Sequence, residues 1–240
     1  MSDPLAVITG ASSGIGHAIA TRLSEEGYSL LLLARSFDKS KLDDLPNTSC
    51  VPVDVTNESD FSEAVHQAVD EYGAVECLVN CAGLMLLGDI ADQSPSEWRQ
   101  MFDVNVLGLT YGMQIVLDSM KQRNAGTIVN ISSIAGRKSF PNHAAYCGTK
   151  FAVHAISETV REEIADKNVR IVTIAPGVVE TPLLSHTTSE GIKSDYTDWK
   201  KSIGGGLEPK NVADAVYYAI SQPQSVCIRE IVLAPTRQTA

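Results

Sequence analysis

The stretch Ile131 to His154, ISSIAGRKSFPNHAAYCGTKFAVH, decides how the rest of the chain is read. It opens where an apolar run, Thr127 to Ile131, predicts a strand, and it then carries the serine pair Ser132 and Ser133. A short loop with Gly136, Pro141 and Asn142 leads into a predicted helix bearing Tyr146 and Lys150. Residues four apart on a helix stand one above the other on the same face, so a phenol and an amine become neighbours. A cation close to a phenol favours the phenolate and is expected to lower the pKa of Tyr146. A phenol so tuned exchanges protons near neutral pH, as a general acid or base must. Ser133, just past the strand, is placed to face the same pocket. By itself the pair is also what an ordinary amphipathic helix carries, so its meaning depends on the rest of the chain.

Outward from this stretch, the chain opens with a short apolar strand, Leu5 to Thr9, broken by Gly10. Ala11, Ser12, Ser13, Gly14, Ile15 and Gly16 follow, then an amphipathic helix that stops at Gly27. Strand, glycine turn and helix are the opening of a dinucleotide-binding βαβ unit. Glycines let the backbone approach a pyrophosphate, and the helix N-terminus presents unpaired N–H groups to it. A plain tight turn gives the same local pattern. A P-loop is excluded, because no Gly-Lys-Ser/Thr follows.

The second strand, Tyr28 to Ala34, is continuously apolar, as a parallel strand covered on both faces should be. Where an NAD-binding unit places an acid to hold the ribose 2′-OH, this chain has Ala34, then Arg35 and Ser36, with no acid until Asp38. A guanidinium suits a 2′-phosphate by charge and by its forked geometry, so the reading is NADP over NAD. Strand and helix then alternate: Cys50 to Val53, Glu58 to Tyr72, Glu76 to Asn80, and a long helix from Pro95 to Arg123. Asp54 ends the third strand, where it can accept from an adenine amine. Asn105 lies mid-helix between two valines, and an asparagine buried there must be fully hydrogen-bonded. After the central stretch come a helix to about Asp166, a strand Val169 to Ala175, and Pro176-Gly177. Leu183 to Gly206 reads as the least regular segment and, with its glycines, as a movable lid. A helix Pro209 to Ser221 and a strand Ile228 to Leu233 close the chain.

The expected architecture is therefore α/β: a single domain, residues 1–240, with a doubly wound parallel sheet of Rossmann type and helices on both faces. A chain of 240 residues has the length for one sizeable core, and 44% apolar residues with mean hydropathy near zero describe a soluble protein. No apolar run is long enough to span a membrane, and the N-terminus lacks the features of a secretory signal, so the expected compartment is the cytoplasm. A net charge of −10 speaks against nucleic acid as a partner. The five cysteines, Cys50, Cys77, Cys81, Cys147 and Cys227, read as reduced thiols. Cys77 and Cys81 are expected about 13 Å apart on one strand, too far to share an ion, and no metal site is expected.

With these motifs on the page, the chain resembles the short-chain dehydrogenase/reductase superfamily. The matching pieces are TGASSGIG (Thr9 to Gly16), NCAG (Asn80 to Gly83), Asn105, Ser133, Tyr146 with Lys150, and Pro176-Gly177 with Thr181, in order along nearly the whole chain. Cys81 stands where the family usually has a second asparagine. The resemblance implies a catalytic set of Asn105, Ser133, Tyr146 and Lys150. In it, Tyr146 exchanges the proton, Ser133 holds the substrate oxygen, Lys150 tunes the phenol and holds the nicotinamide ribose, and Asn105 fixes a water. It also implies an NADP(H) site from Gly10, Ser12, Ser13, Gly14, Ile15, Gly16, Arg35, Ser36, Asp54, Val55, Asn80, Ala82 and Gly83. Tyr146, Lys150, Pro176, Gly177, Val179 and Thr181 complete that site. Some stretches look like the NADP-dependent serine and 3-hydroxy acid dehydrogenases and sulfoacetaldehyde reductases, which implies a small polar carbonyl or hydroxy substrate and a homodimer or homotetramer. Arg137, Lys138, His143 and His186 are candidates to hold a substrate anion, solvated loop residues being the other reading of each; Arg229 and Arg237 are further candidates only if the C-terminus of a neighbouring subunit reaches the site. Leu84, Met85, Leu86 and Leu87 instead favour an apolar alcohol such as a terpenol, retinoid or steroid. A third reading is a nucleotide-sensing protein without turnover, against which the intact Ser133, Tyr146 and Lys150 speak.

Overall fold

A computed structural model of the chain describes residues 3–37, 42 and 45–239. Seven strands form one parallel sheet: β1 (Leu5–Thr9), β2 (Ser29–Ala34), β3 (Thr48–Pro52), β4 (Val75–Asn80), β5 (Thr127–Ile131), β6 (Arg170–Pro176) and β7 (Glu230–Leu233). Their order across the sheet is β3-β2-β1-β4-β5-β6-β7. The winding reverses at β1, which pairs with β2 on one side and β4 on the other. In such a sheet the crevice for a ligand opens beyond the carboxyl ends of the strands at that reversal.

Side-chain alternation along the strands builds two cores. Leu5 and Val7 of β1, with Leu31 and Leu33 of β2, face one layer, where α2 (Glu58–Tyr72), α4 (Gly108–Arg123) and α5 (Ala144–Glu163) supply Phe61, Met113, Val116 and Val153. Ala6 and Ile8, with Leu30 and Leu32, face the other, where α1 (Gly14–Glu25) and α7 (Pro209–Ile220) supply Ile19, Leu23, Val212 and Val216. Both faces of β2 are thus covered, which explains its unbroken run of leucines. Each of those leucines, once buried, contributes roughly 1.5–3 kcal/mol.

Two segments differ from the sequence reading. The long helix expected from Pro95 to Arg123 is three pieces: α3 (Pro95–Phe102), a wide π-helical turn (Asp103–Leu107) and α4. Within that turn the N–H of Gly108 donates to the carbonyl of Asp103, five residues back. The segment 183–206, read as irregular, contains a 3-10 turn (Pro182–His186) and a thirteen-residue helix, α6 (Glu190–Ser202). Its helix is capped by Ser189, whose side chain accepts from the N–H of Ile192. The other boundaries fall within a few residues of expectation.

Candidate active site

A cleft of about 590 Å³ opens at the carboxyl ends of the strands. One part of its floor is the turn from Gly10 to Gly16. Gly10 and Gly14 have φ of +67° and +54°, a left-handed backbone that favours glycine. A Cβ on Gly16 would lie 2.3 Å from the Gly10 carbonyl oxygen, and one on Gly10 would lie 2.8 Å from Ala82 Cα. At Gly10 and Gly16 the turn is therefore backbone packed directly on backbone, at the start of α1. The hydroxyl of Thr9 accepts from the N–H groups of Cys81 and Ala82, both at 3.0 Å, and pins the NCAG turn beside the glycine turn.

Most residues of the expected cofactor set reach this cleft: the Gly10–Gly16 turn, Arg35, Asp54, Val55, Ala82 and Gly83, with Pro176, Gly177, Val179 and Thr181 across from them. Arg35 stands exposed at the end of β2. Ser36 does not reach the cleft wall, and Asp38 lies outside the described residues. Asp54 uses one carboxylate oxygen to accept from the backbone N–H and the hydroxyl of Thr56, at 2.9 and 2.7 Å. Asn80 lies beneath the cleft rather than on its wall. Its amide nitrogen donates to Asn130 Oδ1 at 2.9 Å, and that of Asn130 donates to the Ser157 hydroxyl at 2.9 Å, a buried polar chain joining β4, β5 and α5.

Ser133, Tyr146 and Lys150 line the cleft together. Ser133 caps a 3-10 turn (Ile134–Gly136), accepting from the N–H of Ala135 at 3.0 Å, so its hydroxyl is held at the mouth of β5. Lys150 Nζ lies 5.7 Å from the centre of the Tyr146 ring and donates to the carbonyl of Ile131 at 2.9 Å. The expected lowering of the tyrosine does not hold. Burial pushes the phenol of Tyr146 well above its usual range, and the Ser133 hydroxyl draws it only part of the way back. Burial likewise pulls the amine of Lys150 from its usual 10.5 down to about 8. Desolvation penalises both charged forms, and it outweighs the attraction that adjacency on the helix promised.

Asn105 is 1% exposed and stands behind the cleft wall. Its Oδ1 accepts from the N–H of Leu84 at 2.7 Å, and its Nδ2 donates to the Leu84 carbonyl at 2.9 Å and to the Thr149 hydroxyl at 3.1 Å. The asparagine is fully bonded, as its burial demands. Its partners are the loop after β4 and the residue before Lys150.

The remaining wall is largely apolar. Leu84, Met85, Phe140, Leu183, Leu184 and Ile192 form it with Tyr196 and Trp199 of α6, whose rings stack edge to face at 5.3 Å. Of the basic candidates, His143 and His186 reach the wall. Arg137 is turned away and pairs with Glu230 at 2.6 Å, while Lys138 lies over the Phe140 ring at 5.8 Å. Arg229 and Arg237 are exposed and do not line the cleft of their own chain.

The sequence reading missed Tyr196 and Trp199, although Ile192, Tyr196 and Trp199 follow the i, i+4, i+7 spacing of a helix face. It also missed Gln238. The Oε1 of that residue accepts from the N–H of Val178 at 3.0 Å and would lie 2.2 Å from a Cβ on Gly177. No local pattern marks a glutamine so near the end of the chain as part of a cleft.

The family described as short chain dehydrogenase matches residues 4–191. An uncharacterized oxidoreductase of Staphylococcus saprophyticus is 36% identical, over 100% of this chain and 98% of its own. One of Staphylococcus aureus strain USA300 is 37% identical over 98% of each. Among solved structures, the closed form of a serine dehydrogenase complexed with NADP+ superposes with a TM-score of 0.89 at 29% identity, covering 98% of this chain and 96% of the other. An alcohol dehydrogenase of the archaeon Thermococcus sibiricus, complexed with 5-hydroxy-NADP, gives 0.85 at 28% identity over 99% and 98%.

Proposed function

The chain belongs to the short-chain dehydrogenase family, and from that premise we propose that it is an NADP(H)-dependent oxidoreductase interconverting a small polar carbonyl and its hydroxy compound. The observation that carries this reading is the meeting, in one cleft, of the Gly10–Gly16 turn with Ser133, Tyr146 and Lys150. The turn fits a dinucleotide: Gly10 and Gly16 stand where a Cβ would clash with backbone, and α1 starts within the turn at Gly14, which brings a helix N-terminus to the cleft. Arg35 at the rim suits a 2′-phosphate, and the NADP complexes of two similar structures support the same choice.

When bound, the reduced cofactor supplies a hydride to the carbonyl carbon. Tyr146 is neutral at ordinary pH, because burial holds its proton, and it donates that proton to the substrate oxygen as the carbon is reduced. Ser133 hydrogen-bonds the same oxygen and fixes it opposite the phenol. Lys150, with its pKa brought down to about 8, returns a proton to Tyr146 without itself being a strongly held cation. Asn105 holds the Leu84 loop and Thr149 in register, which makes it a positioning residue for Lys150. Exposed Phe102, Leu107 and Phe151 support a homo-oligomer.

The serine dehydrogenase likeness supports a small polar substrate. A second reading, an apolar alcohol or ketone, is supported by the wall of Phe140, Leu183, Leu184, Ile192, Tyr196 and Trp199. The test is loss of NADPH absorbance with a panel of aldehydes, ketones and hydroxy acids. Tyr146→Phe should bind NADPH yet lose turnover; unchanged turnover removes the proposed acid.

A further inference from the structure

His143 is a polar group on the cleft wall that the proton relay leaves unused, as are His186, Asp195 and Lys200. Its Nδ1 lies 2.6 Å from the carbonyl oxygen of Pro141. A carbonyl can only accept, so Nδ1 carries a hydrogen, and in the neutral ring Nε2 is a bare acceptor. Burial favours that neutral ring by lowering the imidazole pKa. The loop that carries it is braced: Asn142 before it has φ of +61°, and its carbonyl accepts from the N–H of Gly88 at 3.0 Å. Phe140, Tyr146 and Tyr196 stand around it with ring centres at 5.7, 6.4 and 6.2 Å. Among the described residues Nε2 has no protein partner, and the ring lines the cleft next to Tyr146.

An acceptor held in an apolar wall discriminates strongly for a ligand that brings a donor to it. It also repels a carboxylate or sulfonate. The charged groups nearby agree: Asp195, on the α6 rim, is an anion, and Lys200 is engaged by Glu180 at 2.5 Å. Tyr146 gives a hydrogen bond to the substrate oxygen, while His143, on the same wall, takes one. Resting on the oxidoreductase reading above, we propose that His143 selects an uncharged carbonyl compound bearing a hydroxyl on the adjoining carbon, an α-hydroxy ketone or aldehyde, and in the reverse direction a vicinal diol. This class explains how a largely apolar pocket can serve a polar substrate.

The experiment compares three probes with the NADPH-loaded protein: 2-hydroxyacetophenone, acetophenone and phenylglyoxylate. The hydroxy ketone should be preferred over both. Because a hydroxyl also activates the carbonyl chemically, the decisive figure is the change in the ratio of kcat/KM for 2-hydroxyacetophenone over acetophenone. In His143→Phe that ratio should fall about tenfold, mainly through KM, the equivalent of ~1.4 kcal/mol. NADPH fluorescence reports that the cleft of each variant is assembled. His143→Gln, which brings an amide oxygen, should keep more of the preference than His143→Phe. It also replaces that variant as the arbiter if the phenylalanine protein does not bind NADPH. A ratio unmoved in His143→Phe, a collapsed ratio in an NADPH-binding His143→Gln, or a preference for phenylglyoxylate overturns the proposal and leaves the oxidoreductase reading in place. Failure of the native protein to reduce any probe while binding NADPH overturns both.

Discussion

The amine of Lys150 donates to the carbonyl oxygen of Ile131 at 2.9 Å, tying the helix of Tyr146 to the end of the strand that leads into Ser133. That bond fixes an ionisable group that is only 6% exposed. The cost appears in its pKa, about 8 in the fold against an ordinary 10.5. Below pH 8 folded and unfolded chains both hold the proton, and the buried cation is a burden on the fold. Between about 8 and 10.5 the unfolded chain binds more protons than the folded one, so stability rises with pH through that window. Lys150→Met should therefore flatten the alkaline rise expected in urea midpoints measured from pH 7 to 10. The same change should lower kcat/KM by about 10²–10⁴. A rise as steep in the variant as in the native protein would contradict the assignment.

The raised pKa of Tyr146 sets opposite pH dependences for the two directions. Reduction uses the neutral phenol, the dominant form at neutral pH, so its kcat/KM should be flat there and fall only in alkali. Oxidation uses the phenolate, the minor form, and should climb about tenfold per pH unit through the neutral range. Oxidation that levels off below pH 7 would show a phenol far more acidic than its burial allows.

Arg35→Ala should weaken NADPH about 10- to 100-fold, the worth of a charge-assisted hydrogen-bonded pair, and leave NADH nearly unchanged. Fluorescence titration with each cofactor measures the difference. Equal losses would mean that Arg35 does not meet the 2′-phosphate.

Gly112 sits on α4 against the buried polar chain. A Cβ there would lie 2.5 Å from Asn80 Oδ1 and 3.2 Å from the Phe61 ring. Replacing a helical glycine by alanine ordinarily gains about 0.5–1 kcal/mol. Overpacking a tight core costs about 1–3 kcal/mol, and here neither neighbour can yield, because Asn80 is held by Asn130 and Phe61 is 0% exposed. Gly112→Ala should be destabilising in urea unfolding; a more stable variant would show that the asparagine moves freely.

Gln238→Ala removes the acceptor for the N–H of Val178, which follows Gly177 on the cleft wall. Its KM for NADPH should rise several-fold with little change in kcat. A loss confined to kcat would place Gln238 in the chemistry instead.

The sequence revealed what local sterics and repetition control. Gly10 and Gly14 had to be glycines for the turn, and the leucines of β2 had to be buried on both faces. The alternation of strand and helix left few topologies to choose from. What it hid depends on distance along the chain. Adjacency of Tyr146 and Lys150 was legible, but the sign of their pKa shifts was not, because desolvation is decided by residues brought in from elsewhere. EGIKSDYTDWKKS read as a loop because its cleft face is only Ile192, Tyr196 and Trp199, none of them fully buried, on a polar helix. Gln238 meets Val178 across sixty residues of chain, and nothing in either neighbourhood announces it.

The wide turn at Asp103–Leu107 amounts to one residue inserted into an otherwise regular helix. Deleting a residue there would hardly shorten the rod. The wide turn takes up the extra residue, so α3 and α4 keep nearly the facing they would have in a regular helix, and what the deletion would remove is the bulge itself. Trp98 and Met101 would keep their places in the cluster with Met85, Leu87 and Ala145, while Asn105, carried on the bulge, would lose its hold on Leu84. An enzyme disabled that way would keep every side chain that does chemistry and fail because one buried amide had lost its seat.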